Sequence, residues 1–209
     1  MKTRAVPPIL TALLISLIVA SCGPTPSGSP IAVLRPGAGI VKVEGRPVSG
    51  TNALSRDAVL TVMPSSRAEL QIGTGHRFLV GPGKYRLLSR DALEILAGDV
   101  TASLEAGAED PPFVFVTKPA RMTARTALLA IHVDGATGNF PAKASLCVAG
   151  GSAEAERVGQ GAAPYVLGTN QTLSILEGMP ATGPASLDPA WGARIRNEYR
   201  EYLAGKGTP

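Results

Sequence analysis

The sequence predicts a mainly β domain, short-stranded and solenoid-like or sandwich-like, with one C-terminal amphipathic α-helix. Three observations carry this expectation. Short apolar–polar alternating segments run from Ile31 to about Leu176, glycine and proline punctuate them, and an apolar four-residue repeat follows Asp188. Alternation with period two places one face of a segment inward, whereas a four-residue recurrence marks one face of a helix.

Before the β region, Met1, Lys2, Thr3 and Arg4 form a short positive start without an acidic residue, followed by the apolar run Ile9–Ala20. A bilayer-spanning helix needs about 20 apolar residues, so a run of this length reads as a secretory signal peptide rather than a permanent anchor. Its end, Val19-Ala20-Ser21-Cys22, resembles the lipobox of bacterial lipoproteins. The resemblance implies cleavage of residues 1–21, a diacylglycerol on the Cys22 thiol and a fatty acyl chain such as palmitate on the new amine. An ordinary secreted protein, or a signal anchor with an incidental cysteine, is the competing reading. Residues 22–30, rich in glycine, proline and serine, form a flexible tether that cannot bury enough surface to order itself. Gly23, where aspartate is absent, favours the outer membrane by resemblance to the sorting rule of enteric bacteria.

Residues 31–178 form the β domain. Its segments include Gly39–Val43, Val59–Met63, Ala68–Ile72, Arg77–Val80, Lys84–Leu88, Leu93–Leu96 and Val100–Leu104. Beyond a loop at 106–112 come Phe113–Thr117, Ala130–Val133, Ala144–Ala149, Tyr165–Leu167 and Thr172–Leu176. Turns are expected at Gly73-Thr74-Gly75, Gly81-Pro82-Gly83, Ser89-Arg90-Asp91, Gly98-Asp99, Gly150-Gly151 and Gly159-Gln160-Gly161.

The last element, residues 188–204, is a helix. Asp188 suits its N-cap, Pro189 its first turn and Gly205 its stop. Trp191, Ile195, Tyr199 and Leu203 recur every four residues with Tyr202 beside them, and Arg194, Arg196, Glu198, Arg200 and Glu201 cover the rest. Two readings stand side by side. The aromatic face packs on the β domain, or Trp191, Ile195, Tyr199 and Tyr202 dock a partner or membrane interface.

The order of β segments resembles the FecR-type periplasmic domain. Leu54-Ser55-Arg56-Asp57-Ala58-Val59 matches one step of that family, with Arg56 where glycine is typical. Ser66-Arg67-Ala68-Glu69-Leu70-Gln71-Ile72 and the glycine turn after it match the next step closely. Leu93–Val100 and Phe113–Ala120 resemble two further steps. Arg125-Thr126-Ala127-Leu128-Leu129 stands at the family's arginine–glycine–threonine step but lacks its glycine and aromatic. The likeness covers residues 40–176 and implies an all-β fold of short, repeatedly turned strands. Regulators of this family carry a cytoplasmic sigma-factor-binding segment before a transmembrane helix. With eight residues ahead of the apolar run, that segment is not expected here.

Charge and chemistry narrow the function. A formal charge of +4, part of it from Lys2 and Arg4 in the signal, with no dense basic run, argues against nucleic acid. If Cys22 is lipidated, Cys147 has no partner within the chain and is expected to be a buried small hydrophobe, with an intermolecular disulfide or a reactive thiol as the alternative. His76, beside a glycine turn, is expected at the surface, and His132 on the solvent side of a strand. Neither has a neighbour at metal-ligand spacing, Gly81–Lys84 lacks the spacing of a phosphate loop, and Asp134–Asn139 lacks the further acids of a calcium loop. No cofactor, metal or catalytic residue is therefore expected. The chain reads as a non-enzymatic envelope lipoprotein whose β domain binds a protein or polymer at the membrane surface. The alternatives are a periplasmic sensory partner of a membrane protein and an unrecognised envelope hydrolase.

Overall fold

The computed structural model of the chain describes residues 29–203 apart from positions 108, 139, 160, 162 and 182, and omits the side chains of residues 202 and 203. The segment expected to be a signal peptide, Cys22, nearly all of the expected tether and Gly205 lie outside the described residues.

The first strands are β1 Ala32–Pro36, β2 Val41–Val43, β3 Arg46–Val48, β4 Asn52–Leu54, β5 Val59–Val62 and β6 Ala68–Ile72. Two strands of 14 residues follow, β7 His76–Ser89 and β8 Ala92–Glu105. After them come β9 Phe113–Val116, β10 Ala120–Ala124, β11 Thr126–Asp134 and β12 Lys143–Gly151. The last strands are β13 Ala153–Arg157, β14 Tyr165–Leu167, β15 Gln171–Leu176 and β16 Ala185–Ser186, before helix α1 Pro189–Leu203.

The long β7–β8 hairpin is the spine. Its open end, His76–Val80 against Val100–Leu104, pairs outward with β6, β1 and β4 on one side and with β11, β12, β15 and β16 on the other. Its turn end, Gly83–Ser89 against Ala92–Gly98, pairs with β5, β2 and β3 on one side. On the other side β9 joins it in parallel, followed by β10, β13 and β14. One continuous open sheet of mixed pairing thus bends across its spine so that its two halves share a core, the mainly β fold with one C-terminal helix that was expected. Phe78 of one half meets Phe113 and Phe115 of the other at ring centroids of 5.0 and 6.0 Å. Around these rings lies the main apolar core, including Leu34, Leu70, Ile72, Leu87, Leu93 and Ile95, all at most 2% exposed. The apolar area removed from water here is the fold's principal stabilisation.

Three expectations are corrected. Gly81-Pro82-Gly83 and Gly98-Asp99 do not reverse the chain. They lie within β7 and β8, where the pairing register shifts between Val80 and Gly83. The bend is held by Tyr85, fully buried, whose hydroxyl lies 2.8 Å from both the Gly81 and the Asp99 carbonyl oxygens. His76 is not a surface residue. The turn ends one position before it, so it shares the inward face of β7 with Phe78 and Val80, 8% exposed and edge-on to Phe113 at 5.1 Å. Cys147 is half-buried rather than part of the core, because it alternates with the inward Leu146 and Val148 and so faces outward. The 106–112 loop falls between β8 and β9 as expected.

Candidate functional site

The outer face of the sheet, opposite the core, carries the side chains that α1 covers. The helix starts where expected. The Asp188 carboxylate accepts the Ala190 N–H at 2.7 Å, an N-cap bond that satisfies an otherwise unpaired donor of the first turn. Ile195 is buried with Leu187 and Ala149 over Leu128, Ala130 and Cys147, a second small apolar cluster outside the main core. Arg196 donates to the Ala149 carbonyl and to Asn170 Oδ1, both at 3.1 Å, and Glu198 pairs with Arg67 at 2.7 Å. The helix is therefore bolted to β12, to the turn before β15 and to the start of β6.

Of the residues expected to dock a partner, Ile195 is taken up by the fold. Trp191 is 55% exposed, with the Arg194 guanidinium 5.2 Å from its ring centroid, a cation–π arrangement. Tyr199 is half-buried, and Tyr202 lies in the helix with its side chain outside the described residues. The helix is thus packed on the sheet through Ile195 and Arg196, with Trp191 left exposed.

Beside the helix runs a groove of about 820 Å³ between α1 and the strands β7, β8, β11, β12 and β15. Its floor contains a polar row set by strand register. His132 on β11 stands opposite Asp99 on β8 and Ser145 on β12, and Ser145 stands opposite Ser174 on β15. His132 Nδ1 lies 2.6 Å from Asp99 Oδ1, its Nε2 lies 2.9 Å from Asp134 Oδ1, and the two serine hydroxyls are 2.9 Å apart. In the next row Cys147 Sγ lies 3.3 Å from Thr172 Oγ1, which itself donates to the Leu146 carbonyl at 3.0 Å.

Partial burial pushes the His132 pKa down, but hydrogen bonds and charge from Asp99 and Asp134 outweigh it and raise the pKa above the usual histidine value. His76 goes the other way. Burial lowers it, more strongly than the Asp91 and Asp110 charges raise it, and its Nδ1 is buried without a hydrogen-bond partner.

This geometry has definite chemical consequences. The Asp99–His132 pair matches half of a nucleophile-activating triad, but the Nε2 that would accept a hydroxyl proton faces Asp134. Nor do the two carboxylates converge on one point, because the imidazole lies between them. Among the described residues no group of three His, Cys, Asp or Glu side chains is placed to hold a metal ion. Sequence reasoning placed His132 on the solvent side, where it is, but did not find Asp99 or Asp134 as its partners. Asp99 reaches it only through the β8–β11 register, whereas the His132–Asp134 spacing of two residues on one strand was available as a signal.

No protein-family model matches the sequence, and no curated protein aligns with it. Among solved structures, the chain is similar to one described as a "putative anti-sigma factor" from Parabacteroides distasonis ATCC 8503, with 13% identity and a TM-score of 0.52. The likeness covers 68% of this chain and 64% of that one, so the chain spans under two thirds of the length of its neighbour. At that identity the shared property is the fold.

Proposed function

We propose that the protein is a non-enzymatic regulatory or interaction module of the cell envelope, with a FecR-type β domain held at the membrane by lipid on Cys22. It works by contact with an envelope protein or polymer, with the outer membrane as the favoured site. The observation that carries this reading is the likeness of its fold to the protein described as a "putative anti-sigma factor". The regulatory form of the reading, a periplasmic partner of a membrane protein, takes its support from that same likeness. The helix adds to it, since α1 is fixed through Ile195 and Arg196 yet leaves Trp191 exposed. Large aromatic side chains held on a rigid element and open to solvent suit a contact surface.

Two measurements test the proposal. Mass spectrometry of the chain from the envelope is expected to find residue 22 as the lipid-modified N-terminus, and any other N-terminus removes the anchor. A photo-crosslinking amino acid at position 191, in intact envelope, is expected to trap one specific membrane or envelope partner. The same probe at Glu154, on the far half of the sheet, should trap none, and equal labelling at both positions would defeat the proposal. The hydrolase alternative requires His132 to exchange Asp134 for Ser145, and it stands only if Ser145→Ala abolishes an activity that Ser174→Ala leaves intact.

A further inference from the structure

We propose that His76 is an acid-operated latch: its protonation parts the tip of the β6–β7 hairpin from Phe113, while the rest of the sheet keeps its pairing. The device does not depend on the anchor or the partner proposed above.

Three observations place it. Among the described residues, His76 Nδ1 is the one buried side-chain nitrogen or oxygen without a hydrogen-bond partner. Its ring packs edge-on against Phe113, which packs in turn against Phe78 and Phe115. It therefore closes one end of the aromatic core that the two halves of the sheet share. It is also the first residue of β7, directly after the turn Gly73-Thr74-Gly75. From that position a side chain can leave the core without moving a whole strand.

The chemistry gives the direction. A neutral imidazole carries one proton, and Nδ1 can be the nitrogen without it. An imidazolium carries a proton on both nitrogens, so Nδ1 would become a charged donor with nothing to accept it. Two carboxylates face the ring from other elements, Asp91 in the β7–β8 turn and Asp110 in the loop before β9. Neither accepts from Nδ1, and Asp110 Oδ2 already takes the Gly107 N–H at 2.8 Å. Their charges offset part of the penalty, and burial outweighs them.

Other charges near this end point elsewhere. The cross-strand neighbours of His76, Ile72 on β6 and Leu104 on β8, are apolar. Glu105, next to Leu104, and Arg77, on β7 itself, are exposed, and the Arg125 guanidinium donates to the Asp110 carbonyl. A proton is thus held more easily once the ring has swung into water, and acid favours that position.

The consequence falls where the chain enters the domain. Ile72, opposite His76 in the hairpin, pairs on its other side with Ala32 at the start of β1. Opening of the tip loosens that pairing, so acid loosens the entry of the chain into the sheet.

The Glu105 amide reports the latch, because it donates to the Gly75 carbonyl of the hairpin tip at 3.2 Å. Met63 and Leu87, whose amides donate to the Ile40 and Ala58 carbonyls, are references away from the tip. Hydrogen exchange of the full chain is followed by NMR from about pH 7.5 to about pH 4, with protection corrected for the intrinsic exchange rate. Protection of Glu105 is expected to fall about tenfold per pH unit below about 6.5, and to level off where the His76 ring titrates. Met63 and Leu87 should keep theirs. His76→Leu, which fills the site with an apolar side chain, should remove the step, and His132→Gln should leave it in place.

A Glu105 protection that does not change with pH overturns the proposal. So does a step that survives in His76→Leu, or a plateau away from the His76 titration. Simultaneous loss at all three amides also overturns it, since that would be unfolding of the sheet as a whole. Should His76→Leu fail to fold, the position of the plateau in the unaltered chain decides alone.

Discussion

Gly83 and Gly98 face one another across the β7–β8 hairpin so closely that neither has room for a Cβ. A Cβ on Gly98 would collide with the Pro82 carbonyl oxygen and stand 2.6 Å from the Tyr85 hydroxyl and 2.7 Å from the Gly83 Cα. One on Gly83 would stand 2.8 Å from the Gly98 Cα. This contact lies at the register shift where the sheet bends from one half to the other. Gly98 also has φ +115°, which side-chain-bearing residues rarely adopt. Gly98→Ala is therefore expected to cost about 3 kcal/mol, more than the loss of an ordinary turn glycine. Urea denaturation would check it, and a loss below about 1 kcal/mol would mean that the bend is not set by this contact.

Tyr85 supports the same bend from within the core. Burial, with the nearby Asp99 charge, raises its pKa well beyond the usual tyrosine value, so the hydroxyl keeps its one proton, which the Gly81 and Asp99 carbonyls share. Tyr85→Phe preserves the ring and removes the donor. The expected loss is about 1–3 kcal/mol, the penalty for leaving buried acceptors without a partner. Hydrogen exchange should show the protection lost first in the amides of Gly81, Gly83 and residues 97–99, and uniform loss across the sheet would contradict a local role.

These two residues also mark what the sequence could convey. Alternation located the outlying segments well, and Ala68–Ile72 coincides with β6 because its inward Ala68, Leu70 and Ile72 obey a strict period of two. The same grammar failed at Gly81-Pro82-Gly83, since a glycine that permits a reversal and one that permits close approach of two strands look alike in sequence. Short strands such as β3 and β16 carry too few residues to show a period. The helix was legible from its cap and repeat. The groove was not, because its floor is assembled by register among five strands drawn from three separate stretches of the chain.

The two histidines are expected to titrate in opposite directions from the ordinary value of about 6.5. His132 is raised, so its contribution to stability is fully present below about pH 6.5 and is lost as pH rises through its folded-state pKa. His76 is lowered, so its neutral form favours the fold above about pH 6.5, and that contribution is lost as pH falls through its folded-state pKa. With only two histidines in the chain, NMR titration resolves both. Asp99→Asn should bring His132 down and leave His76 unmoved. A His132 value at or below 6.5 in the unaltered chain would show that the Asp99 and Asp134 contacts do not hold in solution.

Docking of α1 rests on few contacts, and they are separable. Ile195→Ala removes the buried centre of the small cluster and is expected to cost about 2–4 kcal/mol, if the helix and sheet unfold together. Arg196→Ala deletes two hydrogen bonds at the edge and should cost about 1 kcal/mol. Because the main core does not include Ile195, the alternative is local release of the helix with the β sheet intact. Trp191 fluorescence follows the helix, and far-ultraviolet circular dichroism follows mainly the sheet. Coincident transitions in Ile195→Ala would establish one cooperative unit. Earlier loss of the Trp191 signal would make the helix a separable cover, and Cys147, beneath it, should then react with thiol reagents at the lower denaturant concentration.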